Sequence, residues 1–255
     1  MKRRRRPFLT FLMGIVSAFA WIGISVSTVF WTLLIAGLYL LHPLVDPQLR
    51  GAHRLASWWG RGLVRMAPGS RVQVSGRRNI LSGRPVILMA NHQSYVDVPA
   101  LFFLPGDFKW MADDGLFRIP FFGWAMRMAG YIPVRRGNSR EGLISLQRAK
   151  DLLAEGISVF IFPEGTRSRT GLLGRFQTGG FRLAAQTGTP IVPVVVTGTR
   201  QLLPRGQWAF RWGVRVQIQI LPPIRPPDDR REVRALMRRV RAEMWNAYRR
   251  GLRSC

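Results

Sequence analysis

The stretch Pro85-Val86-Ile87-Leu88-Met89-Ala90-Asn91-His92-Gln93-Ser94-Tyr95-Val96-Asp97-Val98-Pro99 decides the fold of this chain. Its first six residues are apolar throughout, as strands buried on both faces are. They run into a polar turn, after which Pro99 and Leu101 open a helix. Buried strand, turn and helix together are the unit of a sheet covered by helices.

The alternation continues on both sides of that stretch, from about Arg71 onward. Short apolar runs predict strands over 72–75, 85–90, 108–111, 131–134, 158–162, 191–197 and 214–220. Between them, Asn138 and Ser139 can cap a helix that runs to about Glu155. Its apolar residues Leu143, Leu146, Ala149 and Leu153 recur at three and four residues, and Gly156 stops it. Near the end, Asp229 and Glu232 resemble a capping box for a last helix with Val233, Leu236, Met237, Val240 and Met244 on one face. Arginine fills the opposite face, which either meets a membrane surface or is simply solvated. The expectation is an α/β fold, a mixed central sheet flanked by helices, over residues 68–255.

Residues 1–67 read differently. From Phe8 to Leu41 no charged residue occurs, directly after the basic cluster Lys2-Arg3-Arg4-Arg5-Arg6. A cleavable signal peptide shares the basic start but has an apolar region of only about 7 to 15 residues. As one straight helix the run measures about 50 Å against a hydrocarbon core of about 30 Å, so it must tilt, break or turn back. Gly14, Gly23, Ser25, Ser27 and Gly37 offer places to bend, and Pro43 and Pro47 places to end. Arginines on both flanks pull both ends toward the cytoplasm, which a shallow re-entrant hairpin satisfies; a single-span anchor is the alternative. Trp58-Trp59 and the neighbouring arginines then suit the interface.

Charge narrows the partners. Lys plus Arg number 39 against 13 Asp plus Glu, a formal net charge of +26, so favoured surfaces are anionic. Nucleic acid would give the apolar segment little use, whereas an anionic leaflet accounts for both features. Cys255 is the only cysteine, which argues against disulfides within the chain, a Cys-ligated zinc and a positioned thiol nucleophile.

Three histidines occur, and His42 and His53 lie near the membrane segment, leaving His92 for proton transfer. Asp97 stands about 140° around the axis from His92 on a continuous helix, but a strand-to-helix turn can fold it back. A carboxylate on one ring nitrogen fixes the tautomer and leaves the other free to take a proton from an alcohol. Metal binding is a rival use, though no second histidine is nearby, and a lone His with a carboxylate is often only structural. The second cluster, Phe162-Pro163-Glu164-Gly165-Thr166-Arg167-Ser168, offers a flexible backbone at Gly165 and a phosphate-matching guanidinium at Arg167. Taken alone it is equally a turn with a surface arginine.

As an ordered set these motifs resemble the bacterial 1-acylglycerol-3-phosphate acyltransferases within the glycerolipid acyltransferase family. Four match: Asn91-His92 to Asp97, Gly130-Tyr131-Ile132-Pro133-Val134-Arg135-Arg136, Phe162 to Ser168, and Ile191-Val192-Pro193-Val194. The resemblance implies that His92 is a catalytic base oriented by Asp97, and that the acceptor hydroxyl attacks the thioester of acyl-CoA or acyl carrier protein. It assigns Arg136, Glu164, Gly165, Thr166 and Arg167 to the lysolipid headgroup. No cofactor, metal or prosthetic group is implied, and the location is the cytoplasmic face of the bacterial inner membrane.

Two departures bear on the acceptor. Ala112-Asp113-Asp114-Gly115-Leu116 stands where many relatives have Ala-Lys-x-Glu-Leu, and Gln177 where a lysine commonly follows the aromatic residue. Either nearby arginines compensate, and lysophosphatidic acid is acylated, or an amine-bearing acceptor such as a lyso-ornithine lipid is favoured. A noncatalytic binder of anionic lipid is the rival from another class. A serine hydrolase is weaker, since no Gly-x-Ser-x-Gly elbow occurs.

Overall fold

The computed structural model describes residues 7–80, 83–135, 137 and 139–253. It opens with helices α1 (Pro7–Leu40), α2 (His42–Val45) and α3 (Arg50–Arg65), followed by strand β1 (Arg71–Ser75) and β2 (Ile87–Ala90). Then come α4 (Asp97–Leu101), β3 (Phe108–Asp113), α5 (Phe122–Met128), β4 (Ile132–Val134), α6 (Ser139–Ala154) and β5 (Ser158–Ile161). The chain closes through α7 (Gly179–Thr187), β6 (Ile191–Thr197), α8 (Thr199–Leu202), β7 (Arg215–Ile220) and α9 (Val233–Arg253).

Seven strands form one sheet in the order β1-β7-β6-β2-β5-β3-β4. All neighbouring pairs are parallel except β6 with β7, so the sheet is mixed, as expected. The five parallel strands from β6 to β4 therefore end along one edge. In open α/β sheets the crevice beyond such strand ends is where ligands bind.

Helices cover both faces because the central strands are apolar on both. In β6 all seven residues are buried, Val192, Val194 and Val196 on one side and Ile191 and Val195 on the other. The first face carries α1, α3, α4 and α5 through Ile35, Ala52, Ala56, Leu101 and Met126. On the second lie α6, α7 and α9 through Leu152, Phe181, Leu236, Val240 and Met244. The α9 residues picked out by helical spacing are thus the covered ones, Met237 in part, and Arg234, Arg238, Arg239, Arg241, Arg249 and Arg250 are exposed. Asp229 accepts from the Arg231 N–H at 2.8 Å, capping the turn that leads into α9.

Two expectations need correction. The apolar run does not bend at Gly14, Gly23 or Gly37, because α1 is continuous over 34 residues; glycine permits a bend but nothing here demands one. Reversal comes afterwards, at 41–49, and α3 packs back against α1. Leu143, placed on the buried face of α6, is 67% exposed, and Ser145 takes the inward position with its hydroxyl on the Pro133 carbonyl. The basic cluster 2–6, the cap at Asn138 and Cys255 lie outside the described residues.

The start of α3 is held from within the sheet. Lys109 is buried in β3 and its ammonium donates to the carbonyls of Leu49 (2.7 Å) and Ala129 (2.8 Å). Leu49 sits at φ 53°, a left-handed conformation costly for a side chain with a Cβ, and the bond helps to hold it there. Burial lowers the Lys109 pKa to about 8.

Candidate active site

The chain leaves β2 at Ala90 and turns sharply. Asn91 locks that exit to β6, donating to the Val196 carbonyl and accepting from its N–H, both at 2.8 Å. Beyond it the turn folds Asp97 back, and His92 Nδ1 lies 2.7 Å from Asp97 Oδ2. A carboxylate only accepts, so Nδ1 carries the hydrogen and Nε2 keeps its lone pair.

Asp97 is fully buried, a state that an ionised carboxylate tolerates only when its oxygens are bonded. Oδ2 also accepts from the N–H groups of Gln93 (2.5 Å) and Ser94 (2.8 Å), and Oδ1 accepts from Thr199 Oγ1 at 2.5 Å. Thr199 comes from the neighbouring parallel strand end, one residue after the Gly198 turn. Sequence reading missed it; the only signal was a hydroxyl just past the last residue of a buried strand.

The loop after β5 supplies the other side. Phe162 stacks on the imidazole with centroids 4.0 Å apart. Glu164 Oε1 accepts from the His92 N–H at 3.0 Å and Oε2 from the Gly174 N–H at 2.8 Å, while Ser168 N–H donates to the His92 carbonyl at 2.7 Å. Burial pushes the Glu164 carboxyl up, against the pull of those two amides. Its oxygens are therefore engaged with backbone that braces His92. Gly165 makes the turn possible at φ +66°. Behind the loop, α7 lies tight against the ends of β2 and β5: a Cβ on Gly180 would sit 2.9 Å from Met89 Cε and 3.0 Å from Ile161 Cδ1.

Arg167 lies flat over Tyr95, 3.5 Å from its ring centroid, and its carbonyl accepts from Arg205 at 2.7 Å. A second missed group stands below: Gln93 Nε2 and the Tyr248 hydroxyl of α9 both donate to the Gly171 carbonyl, tying the last helix to the turn that carries His92. Of the residues singled out from sequence, His92, Glu164, Gly165 and Thr166 line one cavity, with Asp97 directly behind His92 and Arg167 on the lining residue Tyr95. Arg136 lies outside the described residues.

That cavity measures about 1550 Å³ and wraps over the strand ends. Its walls on the α1 side include Trp21, Trp31, Trp59, Phe121 and Phe122, and on the α7 side Leu146, Gly180 and Arg182. A long apolar chain and a polar reacting group at His92 can therefore share it. Asp114, one of the acidic departures, pairs with Arg118 at 2.7 Å and lies 3.9 Å from Arg135. No group of three or more His, Cys, Asp or Glu able to hold a metal occurs among the described residues.

A family model described as acyltransferase matches residues 71–197. A chloroplastic 1-acyl-sn-glycerol-3-phosphate acyltransferase of Arabidopsis thaliana is 37% identical over 198 residues, 76% of this chain and 55% of the relative. The chain thus spans little more than half the length of that relative. A 1-acyl-sn-glycerol-3-phosphate acyltransferase of Pseudomonas aeruginosa is 30% identical over 246 residues, 94% of this chain and 88% of the relative. Among solved structures, the 1-acyl-sn-glycerophosphate acyltransferase PlsC of Thermotoga maritima superposes with a TM-score of 0.81 at 25% identity, covering 94% of this chain and 96% of that one.

Proposed function

This chain belongs to the 1-acyl-sn-glycerol-3-phosphate acyltransferase family, and on that premise we propose that it moves a fatty acyl group from a thioester, acyl-CoA or acyl carrier protein, to the sn-2 hydroxyl of lysophosphatidic acid, giving phosphatidic acid. The observation that carries this reading is the His92–Asp97 pair, buried on the aspartate side and open on the Nε2 side to a large, mainly apolar cavity. His92 Nε2 takes the hydroxyl proton as the oxygen attacks the thioester carbon. The tetrahedral intermediate collapses, the C–S bond breaks, and the imidazolium returns its proton to the departing thiolate. Asp97 stabilises the imidazolium and holds the ring.

Glu164 acts as a brace between two loops, and Gly165, Thr166 and Arg167 form the wall that meets the acceptor headgroup; the family resemblance assigns Arg136, outside the described residues, to the same headgroup. Asp114 is paired with Arg118 at 2.7 Å, so its acidity is answered locally, which favours a phosphate-bearing acceptor over an amine-bearing one. The stretch Phe11–Leu40 is long and apolar enough to cross a membrane. With arginine on both of its flanks, we place the enzyme at the cytoplasmic face of the bacterial inner membrane, on anionic lipid.

Purified protein offered lysophosphatidic acid with each thioester should form phosphatidic acid, and His92→Ala should lose about 10²–10⁴-fold of that rate while liposome binding persists. Unchanged transfer in the variant removes His92 from the mechanism. Activity confined to lyso-ornithine lipid overturns the acceptor, and release of free fatty acid overturns the reaction class.

A further inference from the structure

A second hollow, of about 470 Å³, lies between α7 and the start of α9. Three guanidiniums frame it, those of Arg182, Arg231 and Arg234, with Thr178 and Gln186 beside them. No carboxylate lies within ion-pair distance of these three arginines among the described residues. Glu232 stands between Arg231 and Arg234 in the chain but does not line the hollow and is ion-paired with neither, and Asp229 turns its carboxylate onto the Arg231 backbone N–H. Arg231 lies in the turn just before α9 and Arg234 is the second residue of that helix of 21 residues, whose amino end adds positive potential. Three like charges around one hollow repel each other, and a phosphorylated anion is what relieves them, because each guanidinium can present two N–H groups to phosphate oxygens.

Position says which anion. The hollow sits in the α6/α7/α9 layer, on the opposite face of the sheet from α1 and its exposed Phe19, Ile22, Val26 and Phe30. A membrane lipid reaches the site from the α1 side. Arg182, however, lines both this hollow and the cavity that holds His92, so the two spaces meet at one side chain. A group bound in the hollow faces water yet remains connected to the reacting centre.

We propose that the hollow framed by Arg182, Arg231 and Arg234 binds the phosphates of the donor's nucleotide head, so that acyl-CoA is held from the water side while the lysolipid is held from the membrane side. The inference rests on the acyl-transfer reading and gives that reaction a donor class. Three independently placed guanidiniums suit the several phosphates of coenzyme A. The single phosphodiester of a carrier protein would leave most of them unmatched.

The test uses the full chain in detergent, wild type and Arg231→Gln/Arg234→Gln, both positions being exposed and outside the His92 cavity. Matching thermal melts establish that both are folded. Free coenzyme A should bind the wild type by calorimetry and the variant at least tenfold more weakly. In steady state the KM for acyl-CoA should rise about tenfold, the KM for lysophosphatidic acid should hold, and S-acyl pantetheine, which has no phosphate, should be used equally by both. Equal coenzyme A binding by the two proteins overturns the proposal. So does a KM increase confined to acyl carrier protein, which would make the hollow a dock for an acidic protein. Arginine-dependent coenzyme A binding in a wild type without transferase activity would instead defeat the acyl-transfer reading and leave the site standing.

Discussion

At the scale of single residues the turn after β2 is organised around one carboxylate. Asp97 receives four hydrogen bonds, three from its own turn and one from Thr199 across the sheet. Thr199 thus sets the Asp97 rotamer from outside the turn, and through it the imidazole. A bond to a buried charge contributes about 1.5–3 kcal/mol, and 1.4 kcal/mol is a factor of about ten in rate. We expect Thr199→Val to lower kcat about tenfold or more with little change in KM for either substrate, and Thr199→Ser to keep most of the wild-type rate. A Thr199→Val enzyme with wild-type kcat would show that the turn holds Asp97 unaided.

At the scale of elements, two buried titratable groups join the first helices to the sheet. Lys109 grips the start of α3. His53, inside α3, contacts the rings of Phe102, Phe108 and Tyr131, with Nδ1 3.0 Å from the Tyr131 hydroxyl. Its Nε2 has no hydrogen-bond partner among the described residues. Burial first, then the positive charges of Lys109, Arg61 and Arg54, lowers its pKa from 6.5 to about 3. Folded protein therefore keeps this ring neutral between those values, while the unfolded chain binds a proton there. Proton uptake by the unfolded state means that stability is present above pH 6.5 and lost as the pH falls from 6.5 toward 3. At pH 5.5 this single group removes on the order of 1 kcal/mol. Thermal melts between pH 7.5 and 5 should show a steeper acid loss in wild type than in His53→Gln; parallel curves would mean that the ring is not held neutral.

At the scale of the whole molecule, the charge and the apolar surface are segregated. One side of α1 faces outward: Phe11, Phe19, Ile22, Val26, Phe30 and Leu33 are each more than half exposed. The serine and threonine hydroxyls of Ser17, Ser25, Thr28 and Thr32 turn back to carbonyls four residues earlier, which satisfies them without water. The helix is nonetheless tied to the α/β part, since Trp21 donates to the Trp208 carbonyl at 2.8 Å and Phe210 N–H donates to Ser17 at 2.9 Å. Replacing Phe19, Ile22, Val26 and Phe30 together with Asn removes four exposed apolar side chains and no core contact. The quadruple variant should sediment where wild type floats with anionic vesicles, and its folded core should melt unchanged. Continued flotation would place the attachment elsewhere.

Much of this architecture was legible from the chain alone. Strands β2 and β6 appeared as unbroken apolar runs because they are buried on both faces, whereas β1 and β7 read as alternating apolar and polar residues, as strands covered on one face do. The pairing of His92 with Asp97 followed from a strand that ends just before them and a turn that can close on itself. Local sequence also marked the apolar segment, but it did not show that α1 runs unbroken or that the reversal waits for 41–49, since glycine permits a bend without compelling one. Only the tertiary structure decided which strand ends stand together. Strand order depends on contacts between residues far apart in sequence, and it is order that brings Thr199 to Asp97, Glu164 to the His92 backbone, Tyr248 to the turn after β2, and Arg182 together with Arg231 and Arg234.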